Sequence, residues 1–142
     1  MNESGTIKKI LDLKIIAVVG LSPKPGRPSN NVATYLQSVG YKIIPVNPGH
    51  AEILGEKCYP DLKSIPNPVE VVDVFRRPEQ VEPIIDQAIT INTKAVWLQD
   101  GVVNQAAAQK AENAGLLVVM DDCMLRQHQA QNDPNYAPHC EI

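Results

Sequence analysis

The 142-residue sequence has no apolar run of membrane-spanning length and no excess of basic charge. Crossing a hydrocarbon core takes about 20 consecutive apolar residues. With 13 Lys and Arg against 16 Asp and Glu, the net charge is −3. A chain so charged offers no basic face broad enough to neutralise a nucleic-acid backbone. Cysteines are few and odd in number, at Cys58, Cys123 and Cys140. They lack metal-ligand spacing, and an odd count disfavours a disulfide framework. The opening residues MNESGTIKKILDL have neither the apolar core nor the small-residue cleavage site of a signal peptide. Repeats and low-complexity linkers are missing too. The expectation is a reduced, cytoplasmic setting, a small-molecule partner rather than nucleic acid or membrane, and one domain over residues 1–142.

What is present is organised around residues 15–48. Ile15 to Val19 is an unbroken β-branched run closed by Gly20, the pattern of a strand buried on both faces. The loop Gly20-Leu21-Ser22-Pro23-Lys24-Pro25-Gly26 leads to Ser29-Asn30-Asn31 and a helix carrying Val32, Leu36 and Val39, stopped at Gly40. Lys42 to Val46 is a second strand, ending at Asn47-Pro48. Strand, loop, helix and strand in about thirty residues is a βαβ unit with parallel strands and a right-handed crossover. Its first loop is where such units bind phosphate, because a helix N-terminus offers unpaired N–H groups and partial positive charge.

The rest of the chain repeats the alternation. Ser4 is a candidate cap for a short helix over residues 4–12. A Gly- and Pro-rich crossover follows Pro48, with one short strand near Lys57 to Tyr59. Val69 to Phe75, Lys94 to Leu98 and Leu116 to Met120 read as three more strands. Between them, Pro78 opens a helix with an apolar stripe of Val81, Ile84, Ile85, Ala88 and Ile89. Asn104 caps another, with Ala107, Ala111 and Ala114 on its inner face and Gly115 at its end. Residues 127–142 read as a loose polar tail. The fold class is α/β: a Rossmann-like, doubly wound, mainly parallel five-stranded sheet with helices on both faces.

Ligands of such sheets lie outside the carboxyl ends of the strands. Lys24, Arg27, Arg76 and Arg77 all follow strand ends in an otherwise acidic chain. A lone arginine such as Arg77 is ordinarily a solvated loop charge, but Lys24 and Arg27 sit on the phosphate loop itself. Ser22, Asn30 and Asn31 can cap the helix start and still leave neighbouring N–H groups for phosphate. A dinucleotide fingerprint would read GxGxxG, with an acidic residue about twenty positions on to hold the ribose. Both are lacking, since the second strand ends in Val46-Asn47-Pro48. A ligand with more phosphate than NAD is implied: coenzyme A fits, and NADP also would.

Taken together, VVGLSPKPGRPSNNVATYLQSVGYKIIPVNP, VVDVFRRP, VWLQDGV and VVMDDC resemble the small stand-alone CoA-binding proteins. Their domain is similar to the N-terminal CoA-binding domain of the succinyl-CoA synthetase α subunit. The resemblance covers roughly residues 12 to 126 and implies that coenzyme A or an acyl-CoA is held. It implies that Gly20, Leu21, Ser22, Lys24, Arg27, Asn30 and Asn31 meet the phosphates, with Val46, Asn47 and Pro48 near the adenosine. Phe75, Arg76 and Arg77 would form the next wall, with Trp97, Gln99 and Gly101 beyond. Trp97 could equally be core filler. The synthetase's phosphohistidine domain has no counterpart motif around His50, His128 or His139, so no ligase chemistry is expected. No nucleophile–base pair stands out. Cys123 follows the fifth strand, where neighbouring Asp121 and Asp122 disfavour a thiolate. Asp73 is expected to be satisfied by backbone N–H groups. The competing reading is an NADP-dependent or other nucleotide-binding enzyme subunit.

Overall fold

The computed structural model describes residues 1–132. In chain order the elements are α1 (Ser4–Leu11), β1 (Ile15–Val19), α2 (Pro28–Ser38), β2 (Lys42–Val46), β3 (Glu52–Ile53) and β4 (Glu56–Lys57). They continue with β5 (Val71–Val74), α3 (Val81–Thr90), β6 (Ala95–Leu98), α4 (Gln105–Asn113), β7 (Leu117–Met120) and α5 (Met124–Asn132). Single 3-10 turns at Leu62–Ser64 and Pro78–Gln80 precede β5 and α3.

Five strands form one parallel sheet in the order β2-β1-β5-β6-β7. Successive residues of a strand face opposite sides, so each central strand feeds two cores. Ile16 and Val18 join Ile10, Leu36 and Trp97 beneath α1, α2 and α5. Ala17 and Val19 join Val72, Val74, Ile85 and Ala111 beneath α3 and α4. A large aliphatic side chain buried this way contributes about 1.5–3 kcal/mol, enough over two faces to offset the ordering of a small chain. The doubly wound α/β architecture read from the sequence is the one observed.

Several local expectations change. Ser4 lies inside α1 and Glu3 occupies the cap position, with no side-chain cap bond. Ala108, not Ala114, completes the inner face of α4, because the helix ends at Asn113 and Ala114 turns outward. Val39 is exposed at the end of α2. The short strand of the crossover is a hairpin, β3–β4, turned through Leu54 (φ 55) and Gly55 (φ 76). Two positive φ values in a two-residue loop match the twist of a hairpin. Tyr59 then pairs with the outer edge of β2: Tyr59 N–H donates to Pro45 O (3.0 Å) and Asn47 N–H to Tyr59 O (2.9 Å). At the opposite edge, Asn2 exchanges two side-chain bonds with the Met120 backbone (2.7 and 2.9 Å).

The tail read from Gln127 is helical through Asn132, as part of α5. His128 is therefore a helix residue, its Nδ1 hydrogen-bonded to the Tyr35 hydroxyl at 2.7 Å. His139, Cys140 and the rest of that tail lie outside the described residues. Among the described residues no helix is long and apolar enough to cross a membrane.

Candidate functional site

The strand order reverses between β1 and β5: the chain leaves β1 toward β2 and leaves β5 toward β6. Such a switch point opens a crevice at the carboxyl edge of the sheet. Residues 20–27 and 75–77 are its two lips. They are joined at Gly20, whose N–H donates to Val46 O (2.9 Å) while Phe75 N–H donates to Val19 O (2.9 Å). Gly20 has φ +88, and a Cβ there would run into the Phe75 carbonyl. Only glycine fits so close an approach in that conformation.

The loop after β1 is held from within. Ser22 N–H donates to Ser29 Oγ (2.9 Å), and Asn30 Nδ2 donates to Ser22 O (2.9 Å). Lys24 N–H donates to Ser22 Oγ (3.1 Å), and Asn31 Nδ2 reaches Gly26 O (3.4 Å). From β2, Asn47 Nδ2 donates to Leu21 O (2.8 Å). Ser22, Asn30 and Asn31, expected as helix caps, are thus loop braces, and Ser29 braces the loop with them. The cap position belongs to Arg27, with Pro28 following. The amides of Ser29 and Asn30 have no acceptor among the described residues, which leaves α2 with the free N-terminal donors that anions seek.

Lys24, Arg27 and Arg77 are exposed and Arg76 half-buried. None of the four is paired with a carboxylate among the described residues, a condition they share with Lys8, Lys9, Lys14, Lys57 and Lys63 but not with Lys42, Lys94, Lys110 or Arg126. Beside Arg76, a cleft of ≈ 140 Å³ is lined by Val19, Val46, Pro48, Pro60, Asp61, Leu62, Ile84 and Gln87. Its outer wall, Pro60 to Leu62, was missed in the sequence reading. The wall is fixed by Leu62 N–H donating to Gln87 Oε1 (3.0 Å) and Ser64 N–H to Asp61 Oδ1 (2.9 Å). The Asp61-to-Ser64 spacing was a turn signal that could have found it.

Other expected site residues are not brought to the surface. The side chains of Leu21 and Trp97 are 0% exposed and that of Gln99 2%. Trp97 is core filler, its Nε1 donating to Asp122 O (3.0 Å), and not an aromatic wall. Gln99 turns under the sheet edge to Asp73, so backbone N–H groups do not satisfy that carboxyl. The parallel ladder has already engaged them. Burial pushes Asp73 up to about 7 from its ordinary 3.8, with the Gln99 bond opposing.

Beyond Gln99, the loops after β6 and β7 are tied together. Arg126 grips Asp100 through two bonds (3.0 and 3.1 Å) and Asp122 through a third (3.0 Å). Gly101 N–H donates to Asp121 Oδ1 (2.8 Å). Cys123 immediately precedes α5 beside them. Burial pushes its thiol up, while N–H groups of Arg126 and Leu125 pull it down. The carboxylate that raises it further is that of Asp100, and not, as expected from the sequence, those of the adjacent Asp121 and Asp122. Among the described residues no cluster of three or more His, Cys, Asp or Glu could hold a metal ion.

Residues 14–129 match the family model described as "CoA binding domain". The chain is 43% identical over 123 residues to the uncharacterized protein YneT of Bacillus subtilis, covering 86% of this chain and 91% of that one. A solved hypothetical protein from Pyrococcus horikoshii OT3 superposes with a TM-score of 0.87 at 44% identity, over 90% of this chain and 91% of its own. The ADP-forming acetate–CoA ligase I of Archaeoglobus fulgidus is 29% identical over 121 residues, which cover 78% of this chain and 18% of the ligase.

Proposed function

Because this chain belongs to the CoA-binding domain family, we propose that it holds coenzyme A or an acyl-CoA in the switch-point crevice, as a single binding or sensing domain. In this reading the phosphates meet the loop from Gly20 to Arg27 and the first turn of α2. Arg76 and Arg77 close on them from the β5 side. The adenosine lies by Val46, Asn47 and Pro48, against the apolar wall of the cleft. One observation carries the reading: Lys24, Arg27, Arg76 and Arg77 follow the two strands that border the switch point, and the helix that begins there has free N-terminal amides. Charge-assisted bonds from guanidinium and backbone N–H to phosphate are the strong kind.

Binding without catalysis is the form of the reading that the residues favour. The Cys123 thiol is held protonated by burial. His128 faces Tyr35 and shares a recess with Lys14 and Tyr41, which precede β1 and β2 at the far end of the sheet. Neither is an activated group at the crevice.

Calorimetric titration with CoA, dephospho-CoA, NAD and NADP tests the ligand. CoA is expected to bind and NAD not to, since no carboxylate follows β2 to grip an NAD ribose. NAD binding as tightly as CoA would reject the reading. Mass spectrometry of ligand released from gently purified protein identifies the acyl group.

A further inference from the structure

Asn47 follows β2 and spends its side-chain amide on the neighbouring loop, donating to Leu21 O at 2.8 Å. The next amide of that loop, Ser22 N–H, donates to Ser29 Oγ at 2.9 Å, in the first turn of α2. A trans peptide points its C=O and N–H in opposite directions, and among the described residues none is cis. The one peptide plane between Leu21 and Ser22 is therefore gripped on both edges, from β2 on one side and from α2 on the other. The Leu21 side chain is fully buried and anchors the plane a third time. Asn47 is itself held: its N–H donates to Tyr59 O (2.9 Å), and its C=O accepts from Cys58 Sγ (3.3 Å).

This inference rests on the reading that the loop from Gly20 to Arg27 receives the phosphates of CoA. We propose that Asn47 is a positioning residue for that loop. By engaging the Leu21 carbonyl, it keeps an acceptor oxygen from turning toward the phosphates. It acts on affinity through the backbone, since its amide is already committed to Leu21. Groups that orient a binding backbone cost affinity when removed, although they never meet the ligand. A carboxylate at position 47, where a dinucleotide site would place one to grip ribose, has no proton to give and would set two acceptors face to face. Clamping the loop and gripping a ribose are alternative uses of this one position.

The test reads affinity and loop together. CoA is titrated into wild type, Asn47→Ala and Asn47→Asp, and amide hydrogen exchange of the ligand-free proteins is followed by NMR. Asn47→Asp keeps the shape of the side chain and removes only the donor. Both variants are expected to bind CoA about threefold to tenfold more weakly. Ser22 N–H is expected to exchange faster in both, while the amides of β5 and β6 keep their rates. A general loosening of the fold would quicken the strand amides as well, and a direct contact with the ligand would leave Ser22 unchanged. Either pattern overturns the proposal, as does CoA affinity within twofold of wild type in both variants. If wild-type protein binds no CoA, the reading beneath fails and the proposal falls with it.

Discussion

Gln99 Nε2 donates to Asp73 Oδ1 at 2.6 Å, and Asp73 Oδ2 has no partner among the described residues. A fully buried carboxyl with one bond holds its proton to about pH 7, against an ordinary value of 3.8. Below pH 4 both folded and unfolded chains are protonated, and Asp73 costs nothing. Between about pH 4 and 7 the unfolded chain releases this proton and the folded one keeps it, so stability falls as pH rises. Asp73→Asn should flatten that fall and stabilise the protein at pH 8, by an amount on the order of a few kcal/mol. Urea denaturation of both proteins at pH 5 and pH 8 checks it. A variant as pH-dependent as its parent would show that Asp73 ionises freely.

Lys24→Ala with Arg27→Ala should weaken CoA binding without unsettling the fold. Both side chains are exposed and join neither core. A charge-assisted bond to phosphate is worth about 1.5–3 kcal/mol, so a loss of tenfold or more is expected. The ligand-free melting temperature should move little. Titration at two salt concentrations should find wild-type affinity the more salt-sensitive. Unchanged affinity in the double variant would mean that these charges are only solvated.

Gly20→Ala and Gly26→Ala should part company. Both positions have positive φ, +88 and +92, so both variants bear the left-handed cost of roughly 1–2 kcal/mol. Only at Gly20 does the new methyl meet backbone, the Phe75 carbonyl, which cannot swing aside. Thermal melts should rank Gly20→Ala well below Gly26→Ala, and CoA affinity should follow. Equal melting temperatures would show that the two lips are not held in contact.

Cys123→Ser should leave CoA affinity under reducing conditions within about twofold. Burial holds the thiol above its ordinary value, so iodoacetamide should label it slowly at pH 7. Fast labelling, or lost affinity in the serine variant, would give this cysteine a larger part.

The fold was legible because it is carried by local signals. The β-branched runs of β1 and β2 and the Gly20 break announce themselves, and they fix the βαβ unit without tertiary knowledge. The cations were legible by position, since each follows a strand end. What stayed hidden depends on partners distant in sequence. Trp97 looks alike whether it faces a ligand or Asp122, and only the packing of α5 decides. Asn30 and Asn31 read as helix caps beside a phosphate and Asn47 as a neighbour of the adenosine, but the loop backbone takes up their amides. Pro60 to Leu62 became a cleft wall only once α3 lay beside them through Gln87.

The pairing of Tyr59 with β2 and of Asn2 with Met120 bears on how this protein keeps company in a crowded solution. A parallel sheet has two raw margins, each able to recruit a strand from a neighbour. Here each margin is stopped by a single residue that imitates the next strand and then turns away. Growth by strand addition is thereby opposed on both sides, while the carboxyl ends of the strands stay open.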